Sequence, residues 1–244
     1  FSSTNNAILL NKEKKQAIII AIDGFSSCGK STLAKSLSKQ LGFAYVDTGA
    51  MYRAVALYLI EKNIDWKTAK EQVVLKALNE IDITFRYHPE QESSQTYLNG
   101  INVETQIRGK EVSAAVSEVS QIKVIRTEMK RLQQALGQKQ NVVMDGRDIG
   151  TNVFPNAQLK LFLTAKPNIR AMRRYDELVS KGQPISFEEV EENIRLRDHN
   201  DTTRTENPLI KAKDAIEIDN SFLDATETLQ LVLKIISEKN LAGI

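Results

Sequence analysis

Two kinds of segment follow one another along this 244-residue chain. Short apolar runs predict strands that are buried on both faces of a parallel sheet, because such strands lose the strict alternation of apolar and polar residues. These runs lie at 18–22, 43–47, 141–144, 159–164 and 215–219. Apolar residues at helical spacing predict helices at 32–40, 48–60, 67–79, 111–138, 167–180, 187–200 and 222–238. Strands that alternate with helices indicate an α/β fold with a doubly wound parallel sheet.

One stretch has a different period. Between residues 82 and 103 apolar residues recur at every second position, and the pair Asn99-Gly100 is typical of a tight hairpin turn. This pattern predicts a small antiparallel sheet inserted between helices, and this insert is the best candidate for a separate subdomain.

The first apolar run leads into a segment that fits G-x-x-x-x-G-K-[ST], with Gly24, Gly29, Lys30 and Ser31 at the fixed positions. In this motif backbone N–H groups point at phosphate oxygens, the lysine adds a positive charge, and the hydroxyl is a ligand for Mg²⁺. The helix that follows would direct its positive N-terminal end at the same phosphates. An ordinary strand-to-helix turn is the alternative, but the motif in this context favours a nucleoside-triphosphate site. Its candidate residues are Gly24, Ser26, Ser27, Cys28, Gly29, Lys30, Ser31 and Thr32.

Further candidates follow other strands. The run at 141–144 delivers Asp145, Arg147 and Asp148 at its carboxyl end, the edge at which ligands bind in open parallel sheets. Thr48 is expected to cap the helix after the second strand, and Arg53 lies within the first two turns of that helix, where it could reach an anion. A salt-bridged turn and surface solvation are the alternative roles of these groups.

The helix at 187–200 leads to a basic face. If the helical turn persists, Arg197, Asp201 and Arg204 fall within an arc of about 60° at 100° per residue. Such faces are usually solvated and salt-bridged, yet this one also suits a mobile arm that closes over polyphosphate.

Composition narrows the classes of protein. The formal net charge of +2 gives no strong basic field for nucleic acid. One cysteine excludes a disulfide within the chain and fits a reducing compartment, so a cytoplasmic location is expected. No apolar run approaches the ~20 residues that span a membrane, and no apolar stripe forces an interface, so a monomer is expected. Residues 1–15, which begin with Phe rather than Met, are interpreted as an N-terminal extension, native or added.

A phosphate loop alone defines the donor and not the reaction. Phosphoryl transfer needs convergent cations and a closing segment, because the transferred charge must be neutralised and water kept out. The chain offers Lys30, Arg53, Arg126, Arg147, Arg197 and Arg204. The guanine-reading sequence N-K-x-D of a GTPase is absent from the sequence. A small-molecule kinase is therefore favoured.

Taken together, these motifs resemble those of bacterial-type cytidylate (CMP) kinases, in the nucleoside monophosphate kinase group. The matching segments cover most of 18–221 in order: IDGFSSCGKST, VDTGAMYRAVAL, LNGINV, EVSAAVSEVS with VIR, VMDGRDIGTNVFPNAQLKLFLTA, RAMRRYDEL and RLRDHNDTTRTENPLIKAKDAIEIDNS. The resemblance implies a P-loop kinase core at 16–50, 107–172 and 205–244, a nucleoside-monophosphate-binding insert at 51–106 and a lid at 173–204. It also implies transfer of the γ-phosphate of Mg-ATP to CMP or dCMP.

By matching position, the resemblance implies roles for particular residues. The acceptor-binding residues would be Thr48, Arg53, Ser117, Arg126, Asp145, Arg147, Asp148 and Asp201. The catalytic residues would be Lys30, Arg147, Arg197 and Arg204, and Ser31 would hold the metal. Within these sets Arg53 and Arg147 would hold the acceptor phosphate, Asp201 the ribose, and Arg197 and Arg204 the transferring phosphates.

The base would be read by Ser117, Arg126 and Asp148. Cytosine presents an amino donor at N4 beside the acceptors N3 and O2, so a carboxylate facing N4 and donors facing N3 and O2 are complementary to it. Ser117 and Arg126 are nine residues apart and would lie on opposite faces of an unbroken helix. Either the helix breaks near 121–124 or one of the two assignments is wrong.

Two alternatives stay open at this point. Another P-loop kinase, of a deoxynucleoside or shikimate type, would share the loop but would have no use for the Ser117, Arg126 and Asp148 set. A non-catalytic nucleotide-binding module would bind ATP without releasing ADP in response to an acceptor, and the many arginines outside the loop argue against it.

Overall fold

The computed structural model describes residues 17–91 and 93–239. The predicted extension at 1–15 lies outside the described residues. In the described part the strands are β1 Ile19–Gly24, β2 Ala44–Asp47, β3 Ile83–His88, β4 Ser93–Leu98, β5 Ile101–Asn102, β6 Val142–Gly146, β7 Leu159–Thr164 and β8 Ile216–Asp219. The helices are α1 Lys30–Leu41, α2 Thr48–Glu61, α3 Glu71–Asn79, α4 Lys110–Val119, α5 Lys123–Gly137, α6 Pro167–Ser180, α7 Phe187–Thr203 and α8 Ala225–Glu238. No helix in these ranges is long and apolar enough to cross a membrane.

Five of the strands form one parallel sheet in the order β2-β6-β1-β7-β8. The central strand β1 is buried on both faces: Ile20 and Ile22 pack against α1 and α8, whereas Ala21 faces the cluster that includes α2 and α5. This burial explains the unbroken apolar run, because neither face of the strand meets water. The predicted α/β class with a doubly wound parallel sheet is confirmed.

The predicted insert sheet is also present. β3, β4 and β5 pair antiparallel, with Ile83 opposite Leu98 and Leu98 opposite Ile101. Asn99 and Gly100 connect β4 to β5 with φ of 49° and 79°, the left-handed backbone that a two-residue hairpin of this type requires. The sheet buries Leu98 against α2 and leaves Ile101 exposed.

Two local predictions need correction. The single helix predicted at 111–138 is two helices, α4 and α5, separated at residues 120–122. The cap of α2 is not Thr48, which is the first helical residue, but Asp47, whose Oδ1 accepts a hydrogen bond from the Ala50 N–H at 2.9 Å. A carboxylate at that position caps the helix and also meets the positive end of its dipole, so it takes the role from the hydroxyl one residue later.

Other helix boundaries differ by a few residues. The helix predicted from residue 67 begins at Glu71, because the carboxylate of Asp65 accepts hydrogen bonds from the backbone of Lys67 and the hydroxyl of Thr68 in a preceding turn. The closing helix begins at Ala225, after a capping box between Asp224 and Glu227. A turn of π-helix at Ile149–Val153, which the apolar spacing does not predict, follows β6.

Candidate functional site

A cavity of about 650 Å³ opens beside the carboxyl ends of the parallel strands. It is lined by the loop after β1, the start of α2, parts of α4 and α5, the residues after β6, and side chains of α6 and α7. The cavity brings together all of the sequence-predicted site residues except Gly24 and Cys28. Residues from these seven segments of the chain therefore meet in one space.

The phosphate-loop backbone requires glycine where the motif places it. Gly24 has φ +152°, and a Cβ atom there would lie 2.0 Å from the carbonyl oxygen of Leu163 in β7. Gly29, with φ +87°, precedes the first residue of α1 in the left-handed conformation. The loop thus turns sharply from a buried strand into a helix whose N-terminus faces the cavity.

Lys30 is buried at the inner end of the loop. Its Nζ donates to the carbonyl oxygen of Phe25 at 2.5 Å. Burial lowers the pKa of the lysine, and the nearby Arg147 guanidinium lowers it further, against the opposing charge of Asp145. The ammonium group is folded back on its own loop, where an incoming phosphate would be a stronger partner than a carbonyl.

Ser31 and Asp145 form an oxygen-rich group beside the loop. The Ser31 hydroxyl donates to Oδ2 of Asp145 at 2.8 Å, and the Tyr45 hydroxyl donates to Oδ1 at 2.9 Å. Burial raises the pKa of Asp145 to about 6, and the charge of Asp47 adds to this effect. No group of three or more His, Cys, Asp or Glu residues that could hold a metal occurs at 17–91 or 93–239.

These donors fit Mg²⁺ rather than a tightly caged metal. Magnesium is usually held by one or two carboxylates together with water and substrate phosphates. The hydroxyl of Ser31 and the carboxylate of Asp145 supply oxygen ligands of that kind next to the phosphate loop.

Three arginines converge opposite the loop. Arg147 donates from Nε to Oδ2 of Asp201 at 2.7 Å. Burial, together with the charges of Arg147 and Arg53, lowers the pKa of Arg197 to about 10. Among the described residues no carboxylate lies within 4.0 Å of the guanidinium of Arg53 or Arg197. This group has an excess of positive charge and is suited to bind an anion.

A second group of charges surrounds Asp148. Its Oδ2 accepts from Nη2 of Arg126 at 2.6 Å and from Nδ2 of Asn152 at 2.9 Å, and its Oδ1 accepts from Nη2 of Arg204 at 3.3 Å. The Ser117 hydroxyl, on the same cavity, accepts from Nδ2 of Asn200 in α7. The resemblance implied that Arg204 meets the transferring phosphates, whereas its side chain here contacts Asp148.

Sequence reasoning did not single out Asp23. Its carboxylate accepts hydrogen bonds from the backbone N–H groups of Ile149 at 2.8 Å and Gly150 at 2.7 Å, so it holds the π turn directly after Asp148. Burial raises the pKa of Asp23 to about 6, partly offset by these two hydrogen bonds. An acid at the end of an otherwise apolar buried strand was the available signal.

Sequence reasoning did not single out Arg170 either. It is 3% exposed, donates from Nη1 to the carbonyl oxygen of Ser26 at 3.2 Å, and pairs with Asp198 of α7 at 2.6 Å. This arginine therefore ties the backbone of the phosphate loop to the helix that carries Arg197 and Asp201.

A smaller cavity of about 170 Å³ adjoins the start of α1. Arg173 donates to the side chain and backbone of Asn220 in its wall, and Nδ2 of Asn220 donates to the carbonyl oxygen of Cys28 at 2.9 Å. The Cys28 thiol is fully buried and donates to the carbonyl oxygen of Phe25 at 3.0 Å. The residue supports the loop from behind rather than lining either cavity.

A glycine-rich phosphate loop at the carboxyl edge of a doubly wound sheet, with an antiparallel insert, defines a P-loop protein of the α/β class. Residues 20–238 match the family model described as cytidylate kinase. The chain belongs to the cytidylate kinase family, and the resemblance stated from its motifs is confirmed.

Similar proteins cover nearly the whole chain. A protein named cytidylate kinase from Bacteroides fragilis is 54% identical over 211 residues, which are 86% of this chain and 92% of that protein. Another of that name from Cytophaga hutchinsonii is 50% identical over 218 residues, 89% of this chain and 92% of the relative. The solved structure of TT1252 from Thermus thermophilus is 20% identical with a TM-score of 0.46, covering 93% of this chain and 99% of that one.

Proposed function

We propose that this protein transfers the γ-phosphate of Mg-ATP to CMP or dCMP, giving ADP and CDP or dCDP. The observation that carries the proposal is the charge group of Arg126, Asp148 and Arg204, which lies on the same cavity as the phosphate loop. Relatives named cytidylate kinase, at about half identity over most of the chain, support the choice of acceptor.

On the donor side, the phosphates of ATP occupy the loop and the N-terminus of α1. Lys30 leaves the carbonyl of Phe25 and contacts the β- and γ-phosphates. Ser31 and Asp145 would hold the Mg²⁺ ion, which would supply neutralisation of the phosphate charge. The smaller cavity beside α1, with Arg173 in its wall, takes the base of ATP.

On the acceptor side, Arg53, Arg147 and Arg197 bind the phosphate of the monophosphate and follow the transferred group. Two of them have no carboxylate partner among the described residues, so their charge is available to an anion. The attacking atom is a phosphate oxygen, whose second pKa is about 6, so no side-chain base is needed. Catalysis then consists of positioning and charge neutralisation.

Asp148 reads the base. A carboxylate has about four lone-pair sites, and three donors already occupy sites on Asp148. One site is left for the N4 amino group of cytosine. Uracil would place the acceptor O4 against the carboxylate, which costs about 1–3 kcal/mol, roughly ten- to a hundredfold in preference. Asp201 is proposed to contact the ribose, with Ser117 and Arg126 beside the base.

The insert at 51–106 and the lid at 173–204 are proposed to close over the two nucleotides. Arg170 supports this role because it joins the loop carbonyl of Ser26 to Asp198 of α7. Closure would bring Arg197 towards the transferred phosphate and keep water out.

The test is ADP release from Mg-ATP by the purified protein, with CMP, dCMP, UMP, AMP and GMP offered separately. Strong turnover with CMP and dCMP and weak turnover with UMP is the expected result. Turnover with none of them, in a protein that still binds ATP, would withdraw the acceptor assignments and leave the phosphate loop standing.

A further inference from the structure

Two buried side-chain nitrogens have no hydrogen-bond partner among the described residues: Nε of Arg126 and Nε2 of Gln133. Gln133 is 1% exposed and Arg126 is 4% exposed, and both line the larger cavity. Buried polar groups are almost always hydrogen-bonded in folded proteins. An amide that is buried, unpaired and at a cavity wall therefore indicates a partner that is not part of the protein.

Helix geometry places the two groups on the same side of α5, two turns or about 10 Å apart along the axis. Arg126 and Gln133 are seven residues apart on α5, which puts them within about 20° on the same side of the helix. Helical side chains lean towards the N-terminus, so the amide of Gln133 leans towards Arg126. Among the neighbouring residues of α5, Lys130 donates to Oδ1 of Asn152 and Gln134 donates to the carbonyl oxygen of Val153, the last residue of the π turn.

Not every donor around Asp148 has a hydrogen-bond partner. Arg126 donates from Nη1 to the carbonyl oxygen of Ser120 and from Nη2 to Asp148, but its Nε has no partner among the described residues. Together with Nε2 of Gln133, this makes two unpaired donors in the half of the cavity assigned to the base. Cytosine presents two ring acceptors, N3 and O2, beside its single amino group.

We infer that the side-chain amide of Gln133 hydrogen-bonds an acceptor atom of the pyrimidine ring, directly or through one bound water, and is a further base-binding residue of this site. The inference rests on the proposed function, because it assumes that a cytosine nucleotide occupies this half of the cavity. Uracil carries N–H at N3 and offers one matching acceptor fewer on this side, so Gln133 contributes to the preference for cytosine.

The experiment compares Gln133→Met with Gln134→Met. The substitution is the same, the positions are adjacent on α5, and only the second amide has a protein partner, the carbonyl oxygen of Val153 at 2.9 Å. For Gln133→Met, KM for CMP should rise about tenfold, while kcat and KM for ATP stay within about twofold. The preference for CMP over UMP should fall.

Stability separates this role from a structural one. Gln133→Met removes an unpaired buried amide, so its unfolding midpoint should be unchanged or higher. Gln134→Met removes a hydrogen bond, so its midpoint should fall while KM for CMP stays unchanged. Gln133→Leu provides a second apolar side chain if the methionine variant does not fold.

An unchanged KM for CMP in the folded Gln133 variants would overturn the inference, whether or not the midpoint falls. Failure of the proposed function looks different, because the unaltered protein would then not phosphorylate CMP at all. A Gln133 variant that loses CMP affinity in a protein with normal ATP affinity would support both.

Discussion

The two ends of the cavity are built in opposite ways. The phosphate end is a run of consecutive residues, 24–31, whose glycines and backbone N–H groups are proposed to bind the phosphates. The acceptor end gathers side chains from α2, α4, α5, the residues after β6, and α7. A site formed from one continuous segment can be recognised as a motif, whereas a site assembled across the fold depends on packing that only the folded chain supplies.

The two ends also differ in their charges. At the phosphate end the buried ammonium group of Lys30 donates a hydrogen bond to a backbone carbonyl. At the acceptor end opposite charges are already paired, Arg126 with Asp148 at 2.6 Å and Arg147 with Asp201 at 2.7 Å. Removal of one partner from a buried pair leaves the other charge uncompensated. A substitution at the phosphate end should therefore lower turnover with little effect on stability, whereas one at the acceptor end should also lower the stability of the protein.

The largest expected effect is at the phosphate end. Lys30→Met removes the lysine proposed to contact the transferring phosphates, so kcat should fall roughly a thousandfold or more. Among the described residues the ammonium group hydrogen-bonds to the carbonyl oxygen of Phe25 and the thiol of Cys28, so the change leaves no carboxylate that had been ion-paired with this lysine. The unfolding midpoint should stay close to that of the unaltered protein.

Lys234→Met is the matched control. Lys234 lies on α8, far in sequence from the loop, and 72% of its side chain is exposed. The turnover of the Lys234→Met protein should therefore equal that of the unaltered protein. Steady-state rates of ADP release with CMP measure both variants. Near-normal turnover of the Lys30→Met protein would contradict the proposal that the loop binds the phosphates of ATP.

A smaller effect, with a cost in stability, is expected at the acceptor end. Asp148→Asn leaves Arg126 and Arg204 without their shared carboxylate, so the unfolding free energy should fall by about 3 kcal/mol. The preference for CMP over UMP, measured as the ratio of kcat/KM values, should fall roughly ten- to a hundredfold. KM for ATP should change little, because the phosphate loop does not contact this group.

The exposed Asp82 on the approach to β3 provides the control, since Asp82→Asn makes the same chemical change away from the cavity. A folded Asp148→Asn protein whose cytosine preference is untouched would contradict the base assignment and favour a kinase with another acceptor.

The same contrast explains how much could be predicted from the sequence. The order strand, loop and helix around Gly24 and Lys30 is local, and it follows from the motif and the periodicity. The break between α4 and α5 could not be predicted from apolar spacing, because that spacing runs on through residues 120–122. It was signalled only by the conflict between Ser117 and Arg126, and the break resolves that conflict.

Arg204 shows why the acceptor end could not be derived residue by residue. The predicted arc of Arg197, Asp201 and Arg204 assumed a continuous helix, but α7 ends at Thr203 and Arg204 has extended backbone, with φ −60° and ψ 143°. Its side chain therefore leaves the helical face and reaches Asp148. Asp23 was missed for a related reason, since it directly precedes the phosphate loop but its partners, Ile149 and Gly150, are distant in sequence. Gln133 lies outside the quoted motifs.

The smallest expected effect is a pH dependence of kcat/KM, which tests whether Asp145 acts at the phosphate end of the cavity. Burial, aided by the charge of Asp47, raises the pKa of Asp145 to about 6. The carboxylate must be ionised to hold a metal ion, so kcat/KM for Mg-ATP at saturating CMP should be level above about pH 7 and roughly tenfold lower at pH 5.

The stability of the protein should move in the other direction. Because the folded-state pKa lies above the ordinary value of 3.8, the folded chain binds this proton more tightly than the unfolded chain. The contribution of Asp145 to stability is therefore fully present below about pH 4 and is lost as the pH rises through about 6. Activity should increase over the same range in which this contribution declines.

Asp23 must be separated from Asp145, because its pKa is also raised to about 6, by burial. The Asp23 carboxylate accepts hydrogen bonds from the π turn after Asp148, whereas Asp145 accepts from the hydroxyls of Ser31 and Tyr45. Asp23→Asn should keep the acid limb of kcat/KM for Mg-ATP. If the fall in kcat/KM at low pH disappears in Asp23→Asn, the titrating group is Asp23, in contact with the turn after Asp148, and not Asp145. A kcat/KM that is constant between pH 5 and 7 in the unaltered protein would exclude both carboxylates.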